Sequence, residues 1–224
     1  MCFDLAWRQN DACPALPTRI YWSTMPLIAV TGGIGAGKTT VLGYFQALGA
    51  EVLDADQVVH SLYEPGQPAY QEMLSRWGDS IIGSGGVIDR KAVAAKVFAS
   101  GQELTWLNDL LHPLVRQEIS AAGSRTNNLL YCAVPLLYEV SWDAGFAAVI
   151  AVWCDRETQL LRLQSRHWSE VEIKRRLSQQ LPMNEKLCRS DYGLITNCSL
   201  AVLAQQCTQL HRQLQAVFTL PQAD

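Results

Sequence analysis

The sequence predicts an α/β fold in three layers, α/β/α, built on a five-stranded parallel sheet. Three observations predict it. Short apolar runs of strand length alternate along the chain with helical patterns, the mark of successive βα units. Two of the runs, residues 129–134 and 148–153, are apolar without alternation, as expected of strands covered on both faces. A third, residues 27–31, passes directly into glycine-rich sequence that opens a helix.

The first strand is expected at 27–31 and the first helix over 37–48, where Gly49 stops it. Residues 51–54 read as a second strand, and 55–63 as a helix with Val58, Val59 and Leu62 on one face. Pro65, Gly66 and Pro68 break the chain before a helical stretch at 70–77. Residues 82–86, Ile-Gly-Ser-Gly-Gly, form a loop or hairpin tip. Helices follow over 90–98 and 103–120, with Pro113 expected to kink or restart the second. Residues 65–124 offer the sheet no strand, so they are expected to be a helical insertion that holds a substrate. The sheet resumes at 129–134 and 148–153. Helical patterns lie at 157–166 and 170–180, the latter opened by a capping-box pair, Ser169 and Glu172. A last strand at 192–196 precedes a closing helix over 200–218. The expected organisation is a core (25–64, 125–155 and 190–218), the insertion 65–124, a helical lid 156–189, an appended tail 1–24 with Met25 as the functional start, and a tail 219–224.

A chain of 224 residues suits one compact domain with small insertions. Its formal net charge of -3 gives no electrostatic footprint for nucleic acid. No apolar run approaches the roughly 18 residues of a membrane span. Asp4, Arg8, Asp11, Pro14, Pro17 and Arg19 interrupt any secretory leader in the first 24 residues. The seven cysteines form no C-x-x-C pair and the four histidines are scattered, which excludes a zinc site of the usual spacing. Cys132, Cys154 and Cys198 sit in or beside apolar runs and are expected to be buried, in a reducing, cytoplasmic compartment. A monomer or weak homo-oligomer is expected.

The chemistry concentrates in Gly32-Gly33-Ile34-Gly35-Ala36-Gly37-Lys38-Thr39, which satisfies G-x-x-x-x-G-K-[ST]. Glycines allow positive φ and close approach of backbone to phosphate. Loop N–H groups and the free donors of the following helix point at the anion. The motif predicts ATP phosphates cradled by Gly33, Ile34, Gly35, Ala36, Gly37, Lys38, Thr39 and Thr40. Lys38 would reach the β- and γ-phosphates, and the Thr39 hydroxyl would hold Mg²⁺. The second strand ends in Asp54-Ala55-Asp56, at the edge where parallel sheets build their sites. One carboxylate there can orient a hydroxyl and take its proton, and the other can cap a helix. Asp56 is assigned as base, and Asp54 as structural or metal-side partner. Residues 156–189 carry Arg156, Arg162, Arg166, Lys174, Arg175, Arg176, Lys186 and Arg189. Most are expected to form a solvated face. Arg162 and Arg166 lie four apart, and Arg166 is the candidate for phosphate contact. Tyr70, Trp77 and Trp106 read as core positions, one of which could stack on an adenine.

The pieces LIAVTGGIGAGKTTV, EVLDADQVVH, EPGQPAYQEM, GGVIDRKAVAAKVF, WLNDLLHPLVRQEI, VPLLYE and SDYGLITN follow one another in order. With them, residues 26 to about 218 resemble the dephospho-coenzyme A kinase family. The resemblance implies a nucleotide-binding P-loop kinase core, a helical coenzyme A domain and a lid. It also implies transfer of the ATP γ-phosphate to the 3′-hydroxyl of dephospho-coenzyme A. By position it places Asp56 on the catalytic base, His112 and Arg116 on the substrate side, Pro135, Leu136 and Glu139 in a strand-end motif beside the active site, and Arg166 and Arg176 on lid arginines, with Gln180 following. Arg166-His167-Trp168-Ser169 is about one residue shorter than the family's turn. A nucleoside monophosphate kinase is the alternative, but its attacking phosphate oxygen needs no base. A GTP switch would need N-K-x-D and D-x-x-G, and neither string occurs.

Overall fold

The computed structural model describes residues 26–218. The expected tails 1–24 and 219–224 and the Met25 start lie outside the described residues. Five strands form one sheet: β1 (Leu27–Thr31), β2 (Glu51–Asp54), β3 (Leu130–Ala133), β4 (Ala148–Trp153) and β5 (Tyr192–Ile195). Their order is β2-β3-β1-β4-β5. The pairs β1–β3, β1–β4 and β4–β5 are parallel, with Ala29 opposite Cys132 on one side and Val149 on the other. Strand bounds depart from the sequence expectation by at most one residue at an end.

The helices are α1 (Lys38–Ala47), α2 (Ala55–Ser61), α3 (Pro68–Trp77), α4 (Arg90–Ala99), α5 (Gly101–Arg125), α6 (Arg156–Gln164), α7 (Glu170–Leu177), α8 (Met183–Arg189) and α9 (Leu200–Phe218). Alternate strand residues explain the layers. Ile28, Val30, Ala148, Ile150 and Val152 pack into one core with Val41 and Phe45 of α1 and Leu203, Cys207 and Leu210 of α9. The intervening Val149 and Ala151 are also buried, and α8 packs on β4. Inside the first core, Phe45 stacks on Tyr131 with centroids 4.0 Å apart. The Tyr131 hydroxyl meets His211 Nδ1 at 2.8 Å. Burial holds the His211 pKa below its ordinary value.

The chain divides into two compact units. One runs through Leu53 and resumes at Gly123; the other is Asp54–Ala122. The first holds every strand residue except Asp54. The second is helical and buries Met73, Ile81, Ile88, Val93, Leu107 and Leu111. The predicted tip at 82–86 closes a short antiparallel bridge between Ile82 and Ile88, with Gly83 N–H donating to the Val87 carbonyl at 2.8 Å.

Four expectations need correction. The helix α5 runs unbroken through Pro113, which is exposed, so the lost N–H bond falls on the solvent side. The helix expected over 170–180 ends at Leu177, and a separate helix, α8, follows it. Only half of the capping box forms: Ser169 Oγ accepts the Glu172 N–H at 3.2 Å, whereas the Glu172 carboxylate binds Arg175 and Arg176 instead. Cys132 and Cys154 are buried as expected, but Cys198 is exposed, because it lies beyond the end of β5.

Candidate active site

The turn from β1 into α1 is built by three left-handed glycines, Gly32 (φ 144°), Gly35 (φ 78°) and Gly37 (φ 102°). Space as well as φ requires glycine at Gly32: a Cβ there would sit 2.4 Å from the Val152 carbonyl oxygen. Gly37 is the N-cap of α1, and no side chain caps that helix. Its first-turn donors at Lys38, Thr39 and Thr40 therefore face the mouth of the loop, with Thr39 and Thr40 exposed. Lys38 folds back across the turn, donating to the carbonyls of Gly32 at 2.8 Å and Gly33 at 3.1 Å. The turn thus sets one ammonium beside the uncapped N–H donors of α1, a combination that fits a chain of phosphates.

Residues from far along the chain brace this turn. Gln159, on α6, donates to the Ile34 carbonyl at 2.7 Å, and Gln180 Oε1 accepts the Ile34 N–H at 2.9 Å. Arg162 reaches the carbonyls of Gly35 and Ala36 at 3.3 Å, Thr196 Oγ1 at 2.8 Å and the Thr196 carbonyl at 2.6 Å. Thr196 Oγ1 in turn donates to the Ala36 carbonyl at 2.6 Å. Arg162 therefore does not share an exposed face with Arg166. Its fork is spent on the loop's own carbonyls.

Arg166 lies past the end of α6 and is exposed. Its guanidinium is 6.0 Å from the centroid of Trp168, and that of Arg176 is 4.4 Å from the same ring. Between them His167 takes φ 59°, a left-handed conformation for a non-glycine residue. The turn thus passes through a left-handed backbone at His167, and Arg166 and Arg176 meet at one indole. Arg175 and Arg176 pull the Glu172 carboxyl down to about 2.

The segment after β3 brings Pro135, Leu136 and Glu139 to the carboxyl edge of the sheet. Glu139 Oε1 accepts the Leu181 N–H at 2.8 Å and pairs with Lys186 Nζ at 2.7 Å. Lys186 also donates to the Pro135 carbonyl at 2.5 Å and is fully buried. Lys186 is thus an exception to the mostly solvated face expected of this run: α8 turns it inward against the sheet. Burial lowers its pKa, and Glu139 opposes that shift. Glu139 Oε2 is buried without a hydrogen-bond partner in the structure. Leu136 is 40% exposed. A cavity of about 420 Å³ opens beside Gly33, between the start of α6 and the Leu177–Asn184 stretch.

In the helical unit, Asp54 is the N-cap of α2, its Oδ1 accepting the Asp56 N–H at 2.9 Å. Asp56 is exposed on the first turn of that helix, two residues beyond β2. His112 and Arg116 lie one turn apart on α5, His112 half-buried and Arg116 exposed. Burial first and Arg116 second lower the His112 pKa. The aromatic candidates are taken up structurally. Tyr70 donates to the Gly86 carbonyl at 2.8 Å, and Trp77 Nε1 to Glu103 at 2.7 Å. Arg76 covers Trp106, 4.5 Å from its centroid. Among the described residues no group of three or more His, Cys, Asp and Glu side chains could hold a metal, and no helix is long and apolar enough to cross a membrane.

The family model for dephospho-CoA kinase matches residues 26–202. The chain belongs to the dephospho-CoA kinase family. The kinase is 38% identical over 173 residues to the dephospho-CoA kinase of Anaeromyxobacter dehalogenans, covering 75% of this chain and 82% of that protein. It is 34% identical over 187 residues to the enzyme of Shigella flexneri, covering 83% and 91%. A solved Thermus thermophilus protein superposes with a TM-score of 0.75 at 29% identity, covering 85% of this kinase and 98% of that chain. The dephospho-CoA kinase of Campylobacter jejuni shares the fold, with a TM-score of 0.65 at 23% identity, and covers 85% and 98%.

Sequence reasoning missed the kinase's bracing residues. Gln159 matches no motif, Thr196 reads only as the end of the last strand within SDYGLITN, and Lys186 hides in a run of charge. Only their placement at the sheet edge gives them away.

Proposed function

We propose that this kinase transfers the γ-phosphoryl group of ATP to the 3′-hydroxyl of dephospho-CoA, giving CoA and ADP. The observation that carries the reading is the glycine-rich turn with Lys38 folded over it at the uncapped start of α1, in a chain of this family. Triphosphate lies along Gly33 to Thr40. Lys38 exchanges its two carbonyl contacts for phosphate oxygens, so the loop is charged and positioned before nucleotide arrives. Asp56 orients the acceptor hydroxyl and takes its proton as the O–P bond forms. Its exposure suits that role, and Asp54 supplies the cap that fixes its helix turn.

The residues also fit Mg²⁺. With no three-ligand cage among the described residues, the cation would be held by nucleotide oxygens, water and the exposed Thr39 hydroxyl. Asp54 spends one oxygen on its cap, and its other oxygen would be available on the metal side. When bound, the cation neutralises charge on the β- and γ-phosphates. Segment 156–189 acts as the lid, with Arg166 and Arg176 leaving Trp168 to meet the transferring group. His112, Arg116, Pro135, Leu136 and Glu139 define the substrate side, and residues 65–124 hold the coenzyme. The enzyme works in the cytoplasm as a monomer or weak homo-oligomer, without nucleic acid or membrane partners.

The test incubates the protein with ATP, Mg²⁺ and dephospho-CoA and reads the mass of CoA. Parallel reactions contain AMP, CMP or UMP. CoA should accumulate only with dephospho-CoA. Phosphorylation of a monophosphate in preference would overturn the proposal.

A further inference from the structure

Ile34 is the one bulky side chain in the glycine-rich turn, and both polar groups of its backbone are taken by glutamines from elsewhere in the chain. Its carbonyl accepts from Gln159 Nε2 at 2.7 Å, and its N–H donates to Gln180 Oε1 at 2.9 Å. Gln159 is 2% exposed, and Arg156 donates to its Oε1 at 2.9 Å. Its amide orientation is thereby fixed, with the donor facing Ile34. Gln180 sits between α7 and α8, four residues past Arg176. The next residue, Leu181, is held by Glu139, and Glu139 by buried Lys186. Two consecutive residues of the returning arm are therefore anchored, one to the phosphate loop and one to the segment after β3.

We propose that Gln159 and Gln180 are positioning residues that clamp the Ile34 peptide from both sides and tie the geometry of the phosphate loop to the position of the arm carrying Arg176. Glycine-rich backbone loses much conformational freedom on ordering. A clamp on its single bulky residue holds the turn shaped for phosphate before nucleotide binds. The same bond makes Gln180 the fixed end about which α7 moves. With the clamp intact, the arginines arrive together with a formed loop and the phosphoryl group goes to the acceptor. Without it, loop and arm move independently, and water reaches the phosphoryl group more often. This second consequence rests on the kinase reading; the clamp itself does not.

The chemistry demands a donor at 159 and an acceptor at 180. Amide hydrogen exchange of Ile34, resolved by ¹⁵N NMR in the nucleotide-free protein, reads the clamp without substrate. Gln180→Leu should speed that exchange about fivefold to tenfold, the scale of one net hydrogen bond. Gln180→Glu keeps an acceptor and should leave it near the wild-type rate. Gln159→Glu sets a carboxylate against the Ile34 carbonyl and should loosen the loop. Unchanged exchange in Gln180→Leu overturns the clamp. The ratio of ADP formed without acceptor to ADP formed with it should rise several-fold in Gln180→Leu and Gln159→Glu. Faster exchange with an unchanged ratio would reduce the clamp to a structural bond and overturn the positioning role. A wild-type protein that forms no CoA would sink the kinase reading and leave the exchange result standing.

Discussion

Around the phosphate loop, the polar contacts of the sheet-bearing unit join residues 125 to 160 apart in sequence: Gln159, Gln180, Arg162 and Thr196 converge on Ile34, Gly35 and Ala36. In the helical unit Asp54–Ala122, Tyr70 meets Gly86 and Arg76 and Trp77 meet Glu103, over 16 to 27 residues. The first set is drawn together by strand crossovers and lies wholly or partly buried. The second joins α3 to the 82–86 tip and to α5, exposed except for the part-buried Trp77–Glu103 bond. Cutting a buried contact strands a polar group away from water, whereas cutting an exposed one hands it to solvent. The two units should therefore answer mutation in different currencies. The sheet-bearing unit should lose stability and loop geometry. The helical unit should lose chemistry at Asp56 and little else.

The sharpest way to break that contrast is Asp56→Asn. Loss of a general base costs about 10²–10⁴-fold in turnover, while ATP binding, carried by the other unit, should persist in a nucleotide titration. Turnover within a few-fold of wild type would mean that the helical unit supplies no chemistry. Next comes Lys186→Met, which leaves Glu139 buried and uncompensated. Breaking one side of such a pair costs about 3–5 kcal/mol, read as a lowered denaturation midpoint. An unchanged midpoint would mean that Glu139 finds water on its orphaned side.

Arg162→Lys should cost about 1–3 kcal/mol of stability, because one ammonium cannot replace a fork shared by Thr196, Ala36 and Gly35. Arg166→Lys, on the exposed turn, should instead lower turnover with the midpoint unchanged. Equal effects of both on turnover alone would return Arg162 to the phosphate-contacting set.

A pH series separates the units less strongly. His211 titrates below its ordinary 6.5 in the fold because of burial, so the unfolded chain takes up its proton first as pH falls. Stability should be full above that ordinary value and decline as pH drops through it toward the folded pKa. His112 contributes in the same direction. Denaturant melts of wild type and His211→Gln should show a shallower loss in the variant. An identical loss would assign the whole dependence to other groups.

The strands were legible because continuous apolar runs between glycines and helical patterns leave few alternatives, and the phosphate loop because its glycines and lysine are dictated locally by close approach to an anion. Asp54 as a cap was legible for the same reason: an Asx cap acts two residues away. The braces were not. The patterns that hold Gln159 and Thr196 give their elements and not their partners, Lys186 lies in a run of charge, and the roles of all three exist only once β4, β5 and α8 stand beside β1. The charge run at 156–189 is mostly solvated, as charge on helices usually is, and nothing local marks Lys186 and Arg162 as the members turned toward the sheet and the loop. His167 shows the same limit: nothing in the local sequence marks it as the residue that takes a left-handed backbone.

The smallest effect expected is at Glu103, where the helical unit's strongest surface pair tests whether exposed contacts are as weak as the contrast requires. Glu103 takes a bidentate fork from Arg76 at 2.7 and 3.0 Å and the Trp77 indole N–H. Arg76 and then Trp77 hold its carboxyl below the usual range. Glu103→Gln keeps an oxygen for one of those donors and leaves Arg76 lying over Trp106, so the charge and one acceptor are lost but the cover on the indole stays. Arg76→Ala removes the charge and the cover on the indole together. The thermal midpoint should therefore shift less in Glu103→Gln than in Arg76→Ala. The Glu103→Gln difference should shrink in high salt, where exposed pairs are screened. A Glu103→Gln shift as large as that of Lys186→Met, unaffected by salt, would place this pair among the buried ones and erase the distinction between the two units.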